Sequence, residues 1–115
     1  MYIAVVGGRT FNDYTKLKSV LNILVNGLTS MTIVSGGANG ADSLGERFAN
    51  ERGLQTIIHL PDWKKYGKRA GFVRNQLIID DADIVVACWD KSSRGTENSI
   101  DLAKKANKTT ILIYY

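Results

Sequence analysis

The sequence predicts an α/β fold of three layers, α/β/α, in which helices cover both faces of a five-stranded parallel sheet. Strand and helix patterns alternate strictly along the 115 residues, as is typical of a doubly wound parallel sheet. Two of the strand patterns, 3–6 and 84–87, are continuous apolar runs, which suits strands buried on both faces. No linker, repeat or low-complexity stretch interrupts the pattern, which predicts one domain over residues 1–115.

The first half of the chain contains three strand patterns and two helix patterns. A β-favouring run over Tyr2–Val6 predicts the first strand, and from Asp13 onward the apolar spacing changes to the helical period. The apolar face of this helix consists of Tyr14, Leu17, Leu21, Leu24 and Leu28. Met31–Val34 predicts the second strand, and Leu54–Leu60 predicts the third. Between them a helix that ends near Gly53 carries the stripe Ala41, Leu44, Phe48 and Ala49.

The second half of the chain continues the alternation. Its predicted elements are an irregular segment Pro61–Gly67, a helix Lys68–Asp80, a strand Asp83–Cys88, a polar loop Trp89–Arg94, a helix from about Gly95 and a strand Thr109–Tyr114. The last helix places Ile100, Ala103 and Ala106 on one side. These elements complete five strands, each of the first four followed by a helix.

Composition limits the function classes. With 44% hydrophobic residues the chain can bury a core, and its single cysteine, Cys88, excludes an intramolecular disulfide. One histidine and one cysteine are too few for a zinc site, so no metal is expected. The apolar run at the start, MYIAVVGG, is too short for a signal peptide or a membrane span. We therefore expect a cytoplasmic protein with no membrane partner, and its formal charge of +4 suits either an anionic ligand or an ordinary surface.

Three polar loops follow strands and lead into helices. They are Gly7–Phe11, Ser35–Asp42 and Ser92–Glu97. Because parallel strands end at the same edge of a sheet, these loops are expected to meet where ligands of open α/β sheets bind. A helix N-terminus attracts phosphate through its free N–H groups and dipole, and glycine lets the backbone approach closely. Hydroxyl groups and the planar fork of Arg9 would add donors to a phosphate.

The predicted ligand site combines these loops with one helix. The expected ligand-binding residues are Gly7, Gly8, Arg9, Ser35, Gly36, Gly37, Asn39, Asp42, Arg74, Asn75, Ser93, Gly95 and Thr96. Some of them also have a purely structural explanation, since the Gly7-Gly8 pair suits a tight turn and Asp42 suits the first turn of a helix. The loop after the second strand is not a P-loop, because no Gly-Lys-Ser/Thr follows.

Arg74 is predicted to lie within an apolar arc of its helix. The residues of that arc are Ala70, Val73, Leu77 and Ile78. An arginine in such a position needs a partner, either a carboxylate such as Asp42 or Asp83, or a ligand anion. On the other side of the helix, Phe72 and Ile79 are predicted to be exposed, which favours a homo-oligomer. His59 is expected to be structural, and Cys88 is expected to belong to the core.

The loops and their flanking residues resemble the SLOG superfamily of Rossmann-like proteins, in particular its small stand-alone YspA-related domains. The residues that carry the resemblance are Gly7–Phe11 with Asp13, Ser35–Asp42, Trp63 with Gly67, Ala70-Gly71, Arg74-Asn75, Ala82-Asp83, Ser93, Gly95 and Thr96. The resemblance implies a strand order of 3-2-1-4-5, assembly into homo-oligomers and binding of a nucleotide or nucleotide-derived ligand. The chain would then act as a sensor or by sequestering that ligand.

Two related groups supply the alternatives. Lonely-guy phosphoribohydrolases have an arginine similar to Arg74 and a Gly-Thr pair similar to Gly95-Thr96, but Ser99 stands where their catalytic glutamate would be. Arg74 and Glu97 are therefore only weak catalytic candidates, and the catalytic residues of any hydrolase activity are unknown. The DprA family has a loop similar to Ser35–Asp42 and binds single-stranded DNA, which makes nucleic acid a further candidate partner. Aromatic residues near the loops are Phe11, Trp63 and Trp89.

Overall fold

Strands and helices alternate along the chain in the computed structural model, which describes residues 1–27 and 30–115. The strands are β1 (Tyr2–Gly7), β2 (Thr32–Ser35), β3 (Gln55–Ile58), β4 (Ile84–Trp89) and β5 (Thr109–Tyr114). The helices are α1 (Tyr14–Asn26), α2 (Ala41–Arg52), α3 (Trp63–Tyr66), α4 (Ala70–Asp81) and α5 (Arg94–Lys105). Leu28, which was predicted to extend the apolar face of α1, lies outside the described residues.

The five strands form one parallel sheet in the order β3-β2-β1-β4-β5, as predicted. The central strand β1 pairs with β2 on one side and with β4 on the other, with Gly7 beside Cys88 at the carboxyl end. The strands that follow β1 in the sequence are therefore added on one side of it up to β3, and β4 and β5 are added on the other side. The loops that follow β1 and β4 diverge at this point and leave a crevice at the carboxyl edge.

Side-chain alternation along the strands creates two hydrophobic cores, one on each face of the sheet. On one face the strands contribute Ile3, Val5, Ile33, Val86 and Cys88, which pack against residues of α1 and α2 such as Leu17, Leu21 and Phe48. On the other face Ala4, Val6, Val34, Val85 and Ala87 pack against Ile78 and Ile79 of α4 and against Ile100 and Ala103 of α5. This arrangement confirms the three-layer α/β/α fold.

The segment Pro61–Gly67, which was predicted to be irregular, contains a short helix. Its Asp62 side chain caps α3 by accepting a hydrogen bond from the Lys65 N–H at 3.1 Å. A 3₁₀ turn over Gly67–Arg69 follows, so that α4 begins at Ala70 rather than at Lys68. A helix of four residues is too short to show an apolar period, which is why the sequence pattern did not reveal it.

The buried face of α4 differs from the predicted arc. Asn75, Ile78, Ile79 and Ala82 are buried at helical spacing, whereas Leu77 is 46% exposed. The prediction that Ile79 is exposed is therefore wrong, and only Phe72 of the proposed oligomer contact reaches the surface. The cause is Asn75, a polar residue within the buried face of α4. The predicted face was chosen from apolar residues alone, so it was centred on a different side of the helix.

Other boundaries shift by a few residues. The edge strand β3 is shorter than the predicted Leu54–Leu60, and β4 continues through Trp89, which pairs with Tyr114 of β5. Strand β5 and the end of α2 before Gly53 lie as predicted. Within the described residues, no helix has the length and apolar character needed to cross a membrane.

We expect Gly40→Ala to destabilise the fold more than Gly53→Ala. Both glycines have positive φ, +77° and +67°, but a Cβ at Gly40 would overlap the backbone of Gly8 and Arg9, whereas one at Gly53 meets nothing within 4 Å. A left-handed conformation costs an L residue roughly 1–2 kcal/mol. The loss in Gly53→Ala should lie in that range, and the loss in Gly40→Ala should exceed it. Urea denaturation followed by circular dichroism measures the free energy of unfolding of both variants. Equal losses would contradict the close contact between Gly40 and the backbone of the loop after β1.

Candidate functional site

Two adjoining cavities lie at the carboxyl edge of the sheet. The first has a volume of about 410 Å³ and is lined by Val6, Gly7, Gly8, Arg9, Thr10, Ala38, Asp42, Arg74, Asn75, Ile78, Asp90, Ser93, Gly95, Thr96, Ser99 and Tyr115. The second has a volume of about 450 Å³ and is lined by Arg9, Gly36, Gly37, Ala38, Asn39, Leu60, Pro61, Trp63, Lys68, Gly71, Phe72, Arg74, Asn75 and Gly95. Both volumes lie in the range of small-molecule sites.

Most of the predicted ligand-binding residues lie at these cavities. The first cavity is lined by Gly7, Gly8, Arg9, Asp42, Arg74, Asn75, Ser93, Gly95 and Thr96, and the second adds Gly36, Gly37 and Asn39. Ser35 lines neither, because it is fully buried and its hydroxyl donates to a carboxylate oxygen of Glu46 at 2.6 Å. The expectation that the Ser35 hydroxyl is available to a ligand is thus corrected.

Asp42, near the start of α2, folds back onto the loop that precedes it. One carboxylate oxygen accepts hydrogen bonds from the N–H groups of Gly36 at 3.2 Å and Ala38 at 3.3 Å. Burial raises the pKa of Asp42 to about 6, although these two bonds and the nearby Arg74 act to lower it. The carboxylate of Asp42 thus occupies the N–H groups of Gly36 and Ala38, so these two donors are not free to bind an anionic ligand.

Arg74 supports the same loop from α4. Its Nη1 donates to the Gly36 carbonyl at 2.7 Å, and its Nε donates to Oδ1 of Asn75 at 3.0 Å. Neither predicted carboxylate forms a salt bridge with it among the described residues, and Asp83 lies at the opposite end of the sheet, where it accepts from the Tyr2 N–H. Burial lowers the pKa of Arg74, while Asp42 opposes that shift. Arg74 lines both cavities, and three of its five donors remain for other partners.

The amino end of α5 presents backbone donors to the first cavity. Ser93 caps the helix by accepting from the Thr96 N–H, and its own N–H donates to Asp90 at 2.8 Å. The N–H groups of Arg94 and Gly95 have no acceptor in the part of the chain that the structure describes. Free N–H groups and the helix dipole make this end of α5 attractive to an anion.

The glycines of the site differ in what occupies the space beside their Cα atoms. A Cβ would meet Tyr115 at Gly8, Arg74 and Asp42 at Gly36, and Leu60 at Gly37, whereas at Gly95 it would meet nothing within 4 Å. At the first three glycines, side chains of the protein itself occupy the space that a ligand group would need. Gly95 alone among these four leaves open space, and it lines both cavities.

Arg9 is an exposed guanidinium at both cavities, and it forms no salt bridge within the described ranges 1–27 and 30–115. It lies near enough to Arg74 to lower the pKa of that group, after burial, which is the main cause. Two cations beside one cavity repel each other, and a bound anion would relieve that repulsion.

Several cavity residues were not predicted. Asp90 follows β4 and accepts the N–H groups of Ser92 and Ser93 at 2.8 Å each, which holds its pKa below the usual range. Tyr115 follows β5, and its hydroxyl lies 2.9 Å from that of Thr10. Both residues come directly after a parallel strand, and that position was a usable signal, because every such residue lies at the same edge.

Other sequence candidates lie elsewhere. Nε2 of His59 lies 2.6 Å from a carboxylate oxygen of Asp81, in keeping with a structural role. Cys88 is buried in the core, and burial raises its pKa to about 12. Glu97 is exposed and lines neither cavity. The described residues contain no cluster of three metal-ligating side chains.

Comparisons with known proteins agree with the fold. The model of the YspA, cpYpsA-related SLOG family matches residues 1–66. The Gene 61 protein of Mycobacterium phage D29 is 31% identical over 111 residues, which cover 90% of this chain and 89% of that protein.

Two solved structures of DNA processing protein A (DprA) share the fold. The structure from Streptococcus pneumoniae superposes with a TM-score of 0.80 at 19% identity and covers 96% of this chain. The structure from Helicobacter pylori, solved to describe a single-stranded DNA binding mode, has a TM-score of 0.74 at 23% identity and covers 97% of this chain. The matches span 49% and 64% of those longer chains, and at these identities they establish the fold alone.

The pKa of Asp42 predicts a specific pH dependence of stability. Its folded pKa of about 6 lies above the ordinary value of 3.8 for an aspartate, so the folded state binds the proton more tightly than the unfolded state does. Stability therefore falls as pH rises from about 4 to about 6. A difference of about two pKa units corresponds to on the order of 3 kcal/mol. Urea denaturation at several pH values in this range should show that loss in the free energy of unfolding of the wild type, but not in that of Asp42→Asn.

Asp101→Asn, which removes an exposed carboxylate from α5, serves as the control for loss of charge. It should retain the wild-type dependence on pH. If Asp42→Asn and the wild type lose stability in parallel over this range, the raised pKa is refuted.

Proposed function

Because this chain belongs to the YspA, cpYpsA-related SLOG family, we propose that it binds a nucleotide or nucleotide-derived ligand through a phosphate at the amino end of α5. The observation that carries the proposal is the meeting of three donor sets at one cavity. These are the guanidinium groups of Arg9 and Arg74 and the free N–H groups of the first turn of α5. Cations and a helix N-terminus together are a recurrent phosphate site in α/β proteins.

The geometry favours α5 over α2 as the phosphate position. At α2 the Asp42 carboxylate accepts the loop amides and places negative charge at the helix start. At α5 the nearest carboxylate in the cavity, Asp90, is already bonded to the amides of Ser92 and Ser93. The open space at Gly95 then allows a phosphate oxygen to approach the α5 backbone directly.

The biological role that follows is that of a sensor or a sequestering protein. This role is the one that the resemblance to the SLOG superfamily implies. Location in the cytoplasm and assembly into homo-oligomers stay predictions.

A second candidate function is binding of single-stranded DNA, which is the property described for the Helicobacter pylori DprA. The observation that favours it is the segment 63–72, which combines exposed aromatic side chains with a basic cluster. Trp63, Tyr66 and Phe72 are exposed, and the cluster consists of Lys64, Lys65, Lys68 and Arg69. Single-strand binders combine such charge with aromatic stacking.

Removing Arg9 or closing the space at Gly95 should weaken binding without unfolding the protein. Ligand at about 100 times its Kd stabilises by roughly 2.7 kcal/mol, a Tm increase on the order of 10 °C for a domain of this size. Thermal-shift screening of nucleoside phosphates, cyclic nucleotides and ADP-ribose should reveal such an increase. Arg9→Ala and Gly95→Val should reduce it, while the apo Tm stays close to wild type.

The matched controls are Arg69→Ala and Gly27→Val. Arg69 is exposed and lines neither cavity, and a Cβ at Gly27 meets its nearest atom at 3.7 Å. Both controls should keep the full ligand-induced shift. Arg74→Ala is expected to weaken binding by about 1.5–3 kcal/mol and also to lower apo stability, since it removes the bond to Gly36. Undiminished binding in Arg9→Ala and Gly95→Val would place the site elsewhere.

Phosphoribohydrolase activity is expected to be weak or absent. Ser99 lines the first cavity where the related hydrolases carry glutamate, and Glu97 is exposed outside it. Incubation with nucleoside 5′-monophosphates, followed by chromatography of the free base, tests this. Base release that disappears in Asp42→Asn or Glu97→Gln would contradict the expectation and make the chain an enzyme.

A further inference from the structure

We propose that the second cavity holds a planar nucleobase against Trp63, so that the ligand spans both cavities. This inference rests on the proposed function, because the phosphate in the first cavity anchors the other end of the ligand. It adds the position of the base, which the proposed function leaves open, and requires that the ligand carry an aromatic base rather than a sugar phosphate alone.

Exposed apolar side chains concentrate at the second cavity. Leu60 is 70% exposed, Trp63 is 55% exposed and Phe72 is 51% exposed, and all three line that cavity. Adjacent apolar groups left open to water usually mark a binding surface. Ile23, on the outer side of α1, is equally exposed but lines neither cavity.

Trp63 is held in place although half of it is open to solvent. The Asp62 cap fixes the helix that carries it, and the ring extends over the first turn of α4, where a Cβ on Gly71 would lie 3.9 Å from Cη2. An indole has only two rotatable side-chain bonds, so it loses little conformational freedom when a base stacks on it. Stacking on aromatic side chains is a general way for proteins to bind bases.

The two cavities share a wall that suits the linking part of a nucleotide. Arg9, Ala38, Arg74, Asn75 and Gly95 line both of them. A phosphate that contacts Gly95 in the first cavity therefore lies next to the wall that the second cavity shares. Lys68 adds a further cation to the second cavity. The base of a nucleotide would thus contact the apolar surface of the second cavity. Its ribose would contact the amide and guanidinium donors of the shared wall, and its phosphate would lie in positively charged surroundings.

The same base-and-phosphate chemistry has two sources, a free nucleotide and a nucleotide within single-stranded DNA. The probes are therefore the four nucleoside 5′-monophosphates, ADP-ribose, ribose 5-phosphate and a twelve-residue oligodeoxythymidylate. Binding is measured by calorimetry and by quenching of tryptophan fluorescence. Only Trp63 and Trp89 contribute to that signal, and Trp89 lines neither cavity. Quenching that is lost in Trp63→Ala identifies Trp63 as its source.

At least one base-containing probe should bind the wild type about tenfold or more tightly than ribose 5-phosphate and should quench Trp63. Trp63→Ala should remove that preference while its affinity for ribose 5-phosphate stays unchanged. Tyr66→Ala is the matched control for the nucleoside 5′-monophosphates, because Tyr66 is exposed on the same helix but lines neither cavity, and it should keep the wild-type affinity for them. Tighter binding of the oligonucleotide than of the monophosphate, with the same dependence on Trp63, would assign the base to single-stranded DNA.

The results that overturn this proposal differ from those that overturn the proposed function. Equal affinity for ribose 5-phosphate and every base-containing probe refutes the base pocket but retains the phosphate site. A base preference that survives Trp63→Ala also refutes it. Absence of binding by all probes refutes both proposals.

Discussion

The buried carboxylate of Asp42 is the interaction on which the geometry of the site depends. It accepts the amides of Gly36 and Ala38, while Arg74 from α4 bonds the carbonyl of the same Gly36. The loop after β2 is thereby fixed between two helices that lie on opposite faces of the sheet. An ionised carboxylate this far from water is costly unless it is bonded, and the bonds it makes are what give the loop its shape.

This arrangement is the reason that we propose the phosphate position at α5 rather than at α2. A polar loop that is satisfied internally offers few donors to a ligand, however rich it is in glycine. The loop after β4 is organised differently, since Asp90 binds the amides that precede the helix and leaves those of Arg94 and Gly95 free. Two loops of similar sequence character therefore have different tasks, one structural and one open to an anion.

The charge distribution of the cavities fits the same division. Arg9 lies close enough to Arg74 to lower its pKa, while Asp42 acts to raise it. Both guanidinium groups line the first cavity together with Gly95 of α5. On the other side of the shared wall, the second cavity adds the exposed apolar side chains of Leu60, Trp63 and Phe72. A ligand with an anionic end and a flat apolar end matches both regions.

The sequence by itself determined the fold class and, through a family resemblance, the strand order, and every residue that it predicted for the site except Ser35 lines one of the cavities. This was possible because strand and helix periods are local, and because parallel strands bring every following loop to one edge. It did not distinguish Gly95 from Gly8, Gly36 and Gly37, since each also follows a strand. Only the tertiary structure decided which glycine faces open space, which carboxylate is buried and which partner Arg74 has, because these depend on side chains from distant segments that meet only in the folded chain.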